Sequence, residues 1–139
     1  MNARRVVFAA ALLMIAGSGG PLVAHHSFSM FDIEKDVTYQ GVVLDYNWIN
    51  PHVHFTLEVK PGPGVDPQSV GRWDVECGST NIMARQGWTR ATLKAGSPIT
   101  MVGHPMKDGS KGVFLFYMIK ADGTRQYRDI ARPKAEGAQ

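Results

Sequence analysis

Pro51-His52-Val53-His54-Phe55-Thr56-Leu57-Glu58-Val59-Lys60 is the stretch that decides the fold. Val53, Phe55, Leu57 and Val59 alternate without a break against His52, His54, Thr56 and Glu58. Successive side chains of a strand leave opposite faces, so this pattern is a half-buried strand with its apolar side inward. Upstream, Val37 and Tyr39 share one face, and after Gly41 the apolar positions shift to Val42, Leu44 and Tyr46. A one-residue slip at a glycine predicts a β-bulge in a long, curved first strand. Downstream, Pro61-Gly62-Pro63-Gly64 ends the second strand in a loop reaching about Ser69. Trp73, Val75 and Cys77 then alternate with Arg72, Asp74 and Glu76 in a third strand.

A helix follows, from about Ser79 to Gln86. Ser79 or Thr80 caps its start, Ile82 and Met83 form its apolar side, and Gly87 stops it. Trp88 and Leu93 are expected to pack beneath the turn at Lys94-Ala95-Gly96. A fourth strand spans residues 99–103, and Asp108-Gly109 turns the chain. Residues 113–119 are apolar on both faces and form a fifth strand that is central or covered. Asp122-Gly123 is a hairpin signal that returns a short sixth strand near Gln126-Tyr127. Three strands, a helix, then two strands is the order of a small OB-like Greek-key β-barrel, an all-β fold with minor α content. A short two-sheet sandwich is the competing architecture.

The ends of the chain read differently. Arg4 and Arg5 precede an apolar run over residues 6–16, a Gly/Pro break at 17–21, and the small residue Ala24. That is the three-part pattern of a signal peptide, 1–24, cut after Ala24, and the run is too short to span a bilayer. The barrel domain is assigned to 25–130 and a disordered tail to 131–139. The expected location is periplasmic or secreted, with no stable membrane anchor after processing. The precursor carries a net charge of +3; Arg4 and Arg5 leave with the leader, so 3 − 2 leaves +1. A nearly neutral domain lacks the basic footprint of a nucleic-acid binder. Cys77 is the sole cysteine, so no internal disulfide forms, and its strand neighbours mark it as a buried small hydrophobe.

Two stretches, His25-His26-Ser27-Phe28-Ser29-Met30-Phe31-Asp32 and Tyr46-Asn47-Trp48-Ile49-Asn50-Pro51-His52, resemble the signatures of a small exported bacterial family catalogued as a domain of unknown function. Gly87-Trp88, Leu93-Lys94-Ala95-Gly96, His104-Pro105 and Asp108-Gly109-Ser110 look like its later landmarks. Cys77-Gly78-Ser79-Thr80 stands where that family's pattern leads one to expect Ser-Pro. The resemblance covers nearly all of the mature chain. It implies export and supplies no mechanism.

The chemistry therefore comes from the residues. Cleavage after Ala24 would leave a free α-amine on His25, followed directly by His26. Amine, amide and two imidazoles in one dipeptide suit copper, which favours nitrogen-rich tetragonal sites and stands highest in the divalent affinity order. His52 and His54 lie two apart on a strand, so their rings leave the same face. His25, His26, His52 and His54 are the candidate metal ligands, provided the N-terminal segment folds across that face. The three apolar residues of Phe28-Ser29-Met30-Phe31 are expected to dock that segment on the barrel. Asp74 and Glu76 share a strand face, an arrangement common on solvated surfaces. No catalytic constellation or phosphate loop has recognisable local context, so a binding protein is expected rather than an enzyme. The alternatives are a carrier of a small apolar ligand, in a groove lined by Tyr46, Trp48 and Trp88, and a structural or interaction module without metal.

Overall fold

The computed structural model describes residues 28–129. The leader, His25 and His26 and the tail 131–139 lie outside the described residues. Six strands follow in chain order: β1 (Val37–Asn47), β2 (His54–Val59), β3 (Gly71–Glu76), β4 (Pro98–Pro105), β5 (Gly112–Lys120) and β6 (Arg125–Tyr127). One helix, α1 (Thr80–Arg85), lies between β3 and β4, and short 3-10 turns occupy Phe28–Met30 and Pro67–Ser69.

The strands run in the order β3-β2-β1-β4-β5-β6, and a parallel pairing of β3 with β5 closes the first five into a barrel. This is the OB-like all-β barrel expected from the element order. The strand that decides it behaves as its alternation requires. Val53, Phe55 and Leu57 are fully buried and Val59 is 3% exposed, whereas His54, Thr56 and Glu58 face outward. Met101, Val113, Leu115 and Met118 meet them from β4 and β5. The barrel end near α1 is filled by Met83 and Trp88, whose ring N–H donates to the Tyr127 carbonyl at 2.7 Å. The Ser79 hydroxyl caps α1 by accepting from the Ile82 N–H, and Gly87, at φ +79°, turns the chain away.

The bulge in β1 lies later than expected. Pairing with β2 slips between Val43 and Asp45, so Leu44 is the extra residue. Val37, Tyr39 and Val43 therefore share the inner face, and Tyr46 regains it only after the slip. Val42 and Leu44 are only half-buried, so the expectation that both point inward is corrected. Gly41 serves a different end: a Cβ there would lie 2.5 Å from the Glu58 carbonyl oxygen and 2.9 Å from Leu57 Cγ. The glycine permits close approach of β1 to β2.

The Phe28–Asp32 segment docks chiefly through Phe31, while Phe28 and Met30 stay 56% and 45% exposed. Phe31 is 3% exposed and bridges Met106. The Asp32 N–H donates to the Pro105 carbonyl, and the Lys107 N–H donates to the Met30 carbonyl. The rings of Phe28 and Phe31 both lie against Phe114, at centroid distances of 4.6 and 5.4 Å.

Candidate metal centre

The antiparallel register of β2 with β3 places His54 directly opposite Glu76, and Thr56 opposite Asp74. Two residues before His54, His52 stands where the same ladder continues through the Val53 N–H to the Gly78 carbonyl and the Cys77 N–H to the Val53 carbonyl. Both imidazoles leave the outer face because Val53 and Phe55 must face the core. Sequence spacing thus fixes two donors, and the strand pairing brings a third.

His52, His54 and Glu76 each offer a ligand atom, and these atoms all lie within 4.8 Å of one another. Two donors bound to one ion at about 2.1 Å are at most about 4.2 Å apart, so the set would have to close by up to about 0.6 Å to share one ion. His52 Nδ1 lies 2.8 Å from Glu76 Oε1, and His54 Nδ1 lies 3.6 Å from Asp74 Oδ1. The rings sit 6.4 Å apart. The Glu76 side chain is 13% exposed, against 34% and 33% for the two histidines. Its Oε1 is shielded from water and lies 2.8 Å from His52 Nδ1 without an aligned hydrogen bond, a spacing at which a protonated His52 would pair with it. A buried carboxylate oxygen without an aligned donor is costly, and a cation at this point would relieve it.

Sequence reasoning saw Asp74 and Glu76 on one face but did not name Glu76 as a donor. The missing information was the β2–β3 register. The fifth histidine, His104, is engaged elsewhere: its Nδ1 lies 2.9 Å from the Lys35 carbonyl and 3.1 Å from Asp36 Oδ1. His25 and His26 fall outside the described residues.

The expected aromatic groove is not formed as framed. Trp88 is 1% exposed within the core, so its ring offers no face to a ligand. The Tyr46 hydroxyl donates to the Thr89 carbonyl, and Tyr46 and Trp48, 6.2 Å apart, pack against the core. Burial of Tyr46 pushes its phenol well above the ordinary range, with the neighbouring Cys77 adding to the effect. The Cys77 thiol is itself fully buried and pushed up by that burial, as a hydrophobe in this position should be.

A family model described as a family of unknown function, DUF6152, matches residues 12–114. The chain belongs to DUF6152. The resemblance read from the His25–Asp32 and Tyr46–His52 stretches is thereby membership. In this DUF6152 chain the matched segment contains all five histidines, Glu76 and Phe114, and stops before β6. Among curated proteins, none matches the chain. No helix among the described residues is long and apolar enough to cross a membrane.

Proposed function

We propose that this protein is a small exported copper-binding protein rather than an enzyme. In this reading the ion is held on the β2–β3 face by His52, His54 and Glu76, with His25 and His26 of the processed N-terminus as further donors. The observation that carries it is the convergence of two imidazoles and a shielded carboxylate with an oxygen lacking an aligned donor. A mixed nitrogen and oxygen set suits Cu(II) among the divalent first-row ions.

The test starts from chain exported by a bacterial host. Its intact mass should show loss of residues 1–24. Cu(II) titration of that protein should saturate near one equivalent. His52→Ala and Glu76→Gln should each weaken binding by about tenfold or more. Wild-type affinity in both variants would refute the site, and a mature start beyond His26 would remove the terminal donors from it.

A further inference from the structure

The β2–β3 ladder has two ends. His54 with Glu76 marks one, and Val59 with Gly71 marks the other, five residues and about 17 Å away. At that far end the start of β1 meets β4, through Val37 and Gly103, and β5 begins beside the end of β4, through Val113 and Pro105. Two clefts open there, of about 460 and 570 Å³, and both are lined by Tyr39, Asp66 and Ser69. Each has the size of a small-molecule site. The first adds Trp73 and Lys111 to the shared wall, and the second adds Val37, Val59 and Val65.

That wall is held in place by its own bonds. The Tyr39 ring lies against Trp73, with 4.3 Å between centroids and 32° between planes. The Trp73 ring N–H donates to the Ser69 carbonyl at 2.7 Å, and the Ser69 hydroxyl donates to the Asp66 carbonyl at 2.6 Å. The loop before β3 is thereby tied to the aromatic pair. The Asp66 carboxylate accepts from the Gln68 N–H at 2.9 Å, which restricts its rotation. Burial first, and the nearby Asp66 carboxylate second, raise the Tyr39 phenol above its ordinary value, which sets that carboxylate close to the ring. The Lys111 ammonium donates to the carbonyls of Gln68 and Val70, at 2.9 and 2.7 Å, and lies 5.0 Å from the centre of the Trp73 ring.

A surface lysine is ordinarily a mobile charge on a flexible stem. Lys111 is instead fixed by two carbonyls and a ring, with one of its three N–H donors uncommitted. Among the described residues no carboxylate pairs with it, and no lysine or arginine pairs with Asp66. One positive and one negative group thus stand in the same cleft, both open to solvent, and neither is neutralised by the other. A ligand with a single charge meets one complement and one repulsion there, whereas a zwitterion meets two complements. Asp66 lies two residues before Gln68, to whose carbonyl the ammonium is bound, so the two charges stand close enough for one small molecule to bridge. The apolar part of such a molecule has a surface at hand in the Tyr39 ring and, beyond it, the three valines of the second cleft.

We infer that this end of the barrel binds a free α-amino acid with an apolar side chain. Asp66 takes the ammonium, Lys111 takes the carboxylate, and the Tyr39 ring carries the side chain. The site lies at the opposite end of the β2–β3 ladder from the histidine cluster and stands independently of the proposed function.

Amide NMR of the exported chain tests this, with L-phenylalanine and L-leucine as probes. At least one of them should give saturable shifts at the Trp73 ring N–H and at the Ser69 and Lys111 amides. The amide of that amino acid lacks the carboxylate, and its deamino acid lacks the ammonium. Each should bind about tenfold more weakly or worse, the size of a lost charge-assisted hydrogen bond. Asp66→Asn should weaken the amino acid by a similar factor and leave the deamino acid no weaker. Asparagine also caps, so the turn after residue 66 is retained in that variant. Lys111→Gln should weaken the amino acid and leave its amide unaffected. Absence of saturable shifts with both amino acids overturns the site. An amide or deamino acid that binds as tightly as the amino acid, or native affinity in Asp66→Asn, overturns the assignment of a zwitterion.

Discussion

Replacing Gly41 by alanine opposes two effects whose sizes can be compared. Gly41 is not in the left-handed region, so its backbone accepts an L side chain. On that ground alone Gly41→Ala would stabilise the protein by about 0.4–1 kcal/mol, by restricting the unfolded chain. The structure opposes this gain. The new Cβ would stand 2.5 Å from the Glu58 carbonyl oxygen, about 0.9 Å inside the 3.4 Å where ordinary contact begins. Over-packing of this kind costs about 1–3 kcal/mol. The upper half of that range applies, because the obstacle is the backbone of a paired strand and cannot swing aside. The expected net loss is about 1–2.6 kcal/mol, or a fall in Tm of roughly 4–20 °C for a domain of this size. Urea denaturation monitored by tryptophan fluorescence would measure it. Gly62→Ala is the control: its nearest neighbour is Val65 Cγ2 at 3.8 Å, so it should be neutral or slightly stabilising. A Gly41→Ala protein as stable as the wild type would refute the close-approach argument.

Asn50 Oδ1 accepts from both the N–H and the hydroxyl of Thr80, tying the β1–β2 connection to the start of α1. Asn50→Ala should cost about 1–2 kcal/mol in chemical denaturation, and an unchanged midpoint would show the tie to be dispensable. Cys77 should resist thiol-modifying reagents in the folded protein and react fully in denaturant, since it is fully buried and its thiol is held neutral by that burial; rapid labelling of the native protein would contradict the core placement. The Tyr46 phenol is raised above its ordinary value of 10.0 by burial. The unfolded chain then ionises first, so this contribution to stability is whole below pH 10.0 and declines as pH rises beyond it. Tyr46→Phe should flatten that decline in urea midpoints taken on either side of this value, and parallel profiles for the two proteins would refute the assignment.

The parts of the fold that were legible in sequence share a physical cause. Residues 52–59 alternate because one face is wholly buried and the other is solvated, and burial is what writes a period of two into a strand. The Ser79 cap and Gly87 stop were readable because unsatisfied helix ends restrict residue type. The phase of β1 was not readable in the same way. Val42, Val43 and Leu44 are three apolar residues in succession, so either alternate set could face inward. Only the pairing with β2, which slips at Leu44, selects Val43. At the candidate site, the spacing of His52 and His54 was a local signal. Glu76 joins them through a register set across a long loop, and no local pattern encodes that. Trp88 was ambiguous for another reason: a tryptophan that lines a groove and one that fills a core look alike until it is known what covers the ring. Here β6, through the Tyr127 carbonyl, provides a partner for its N–H.

The parallel seam between β3 and β5 has a consequence for the order of folding. His54 and Glu76 are joined by one antiparallel hairpin, whereas the seam brings together Val75 and Val113, with the whole of α1 and β4 between them in the chain. Contacts between distant positions carry a larger loop-closure entropy, so chains rich in them fold more slowly. A β2–β3 hairpin can therefore align two imidazoles and a carboxylate early. Phe114, the seat of the N-terminal segment, comes beside Glu76 only when the barrel closes. The chain can gather the two imidazoles and the carboxylate in one kinetic stage and fix their surroundings in a later one.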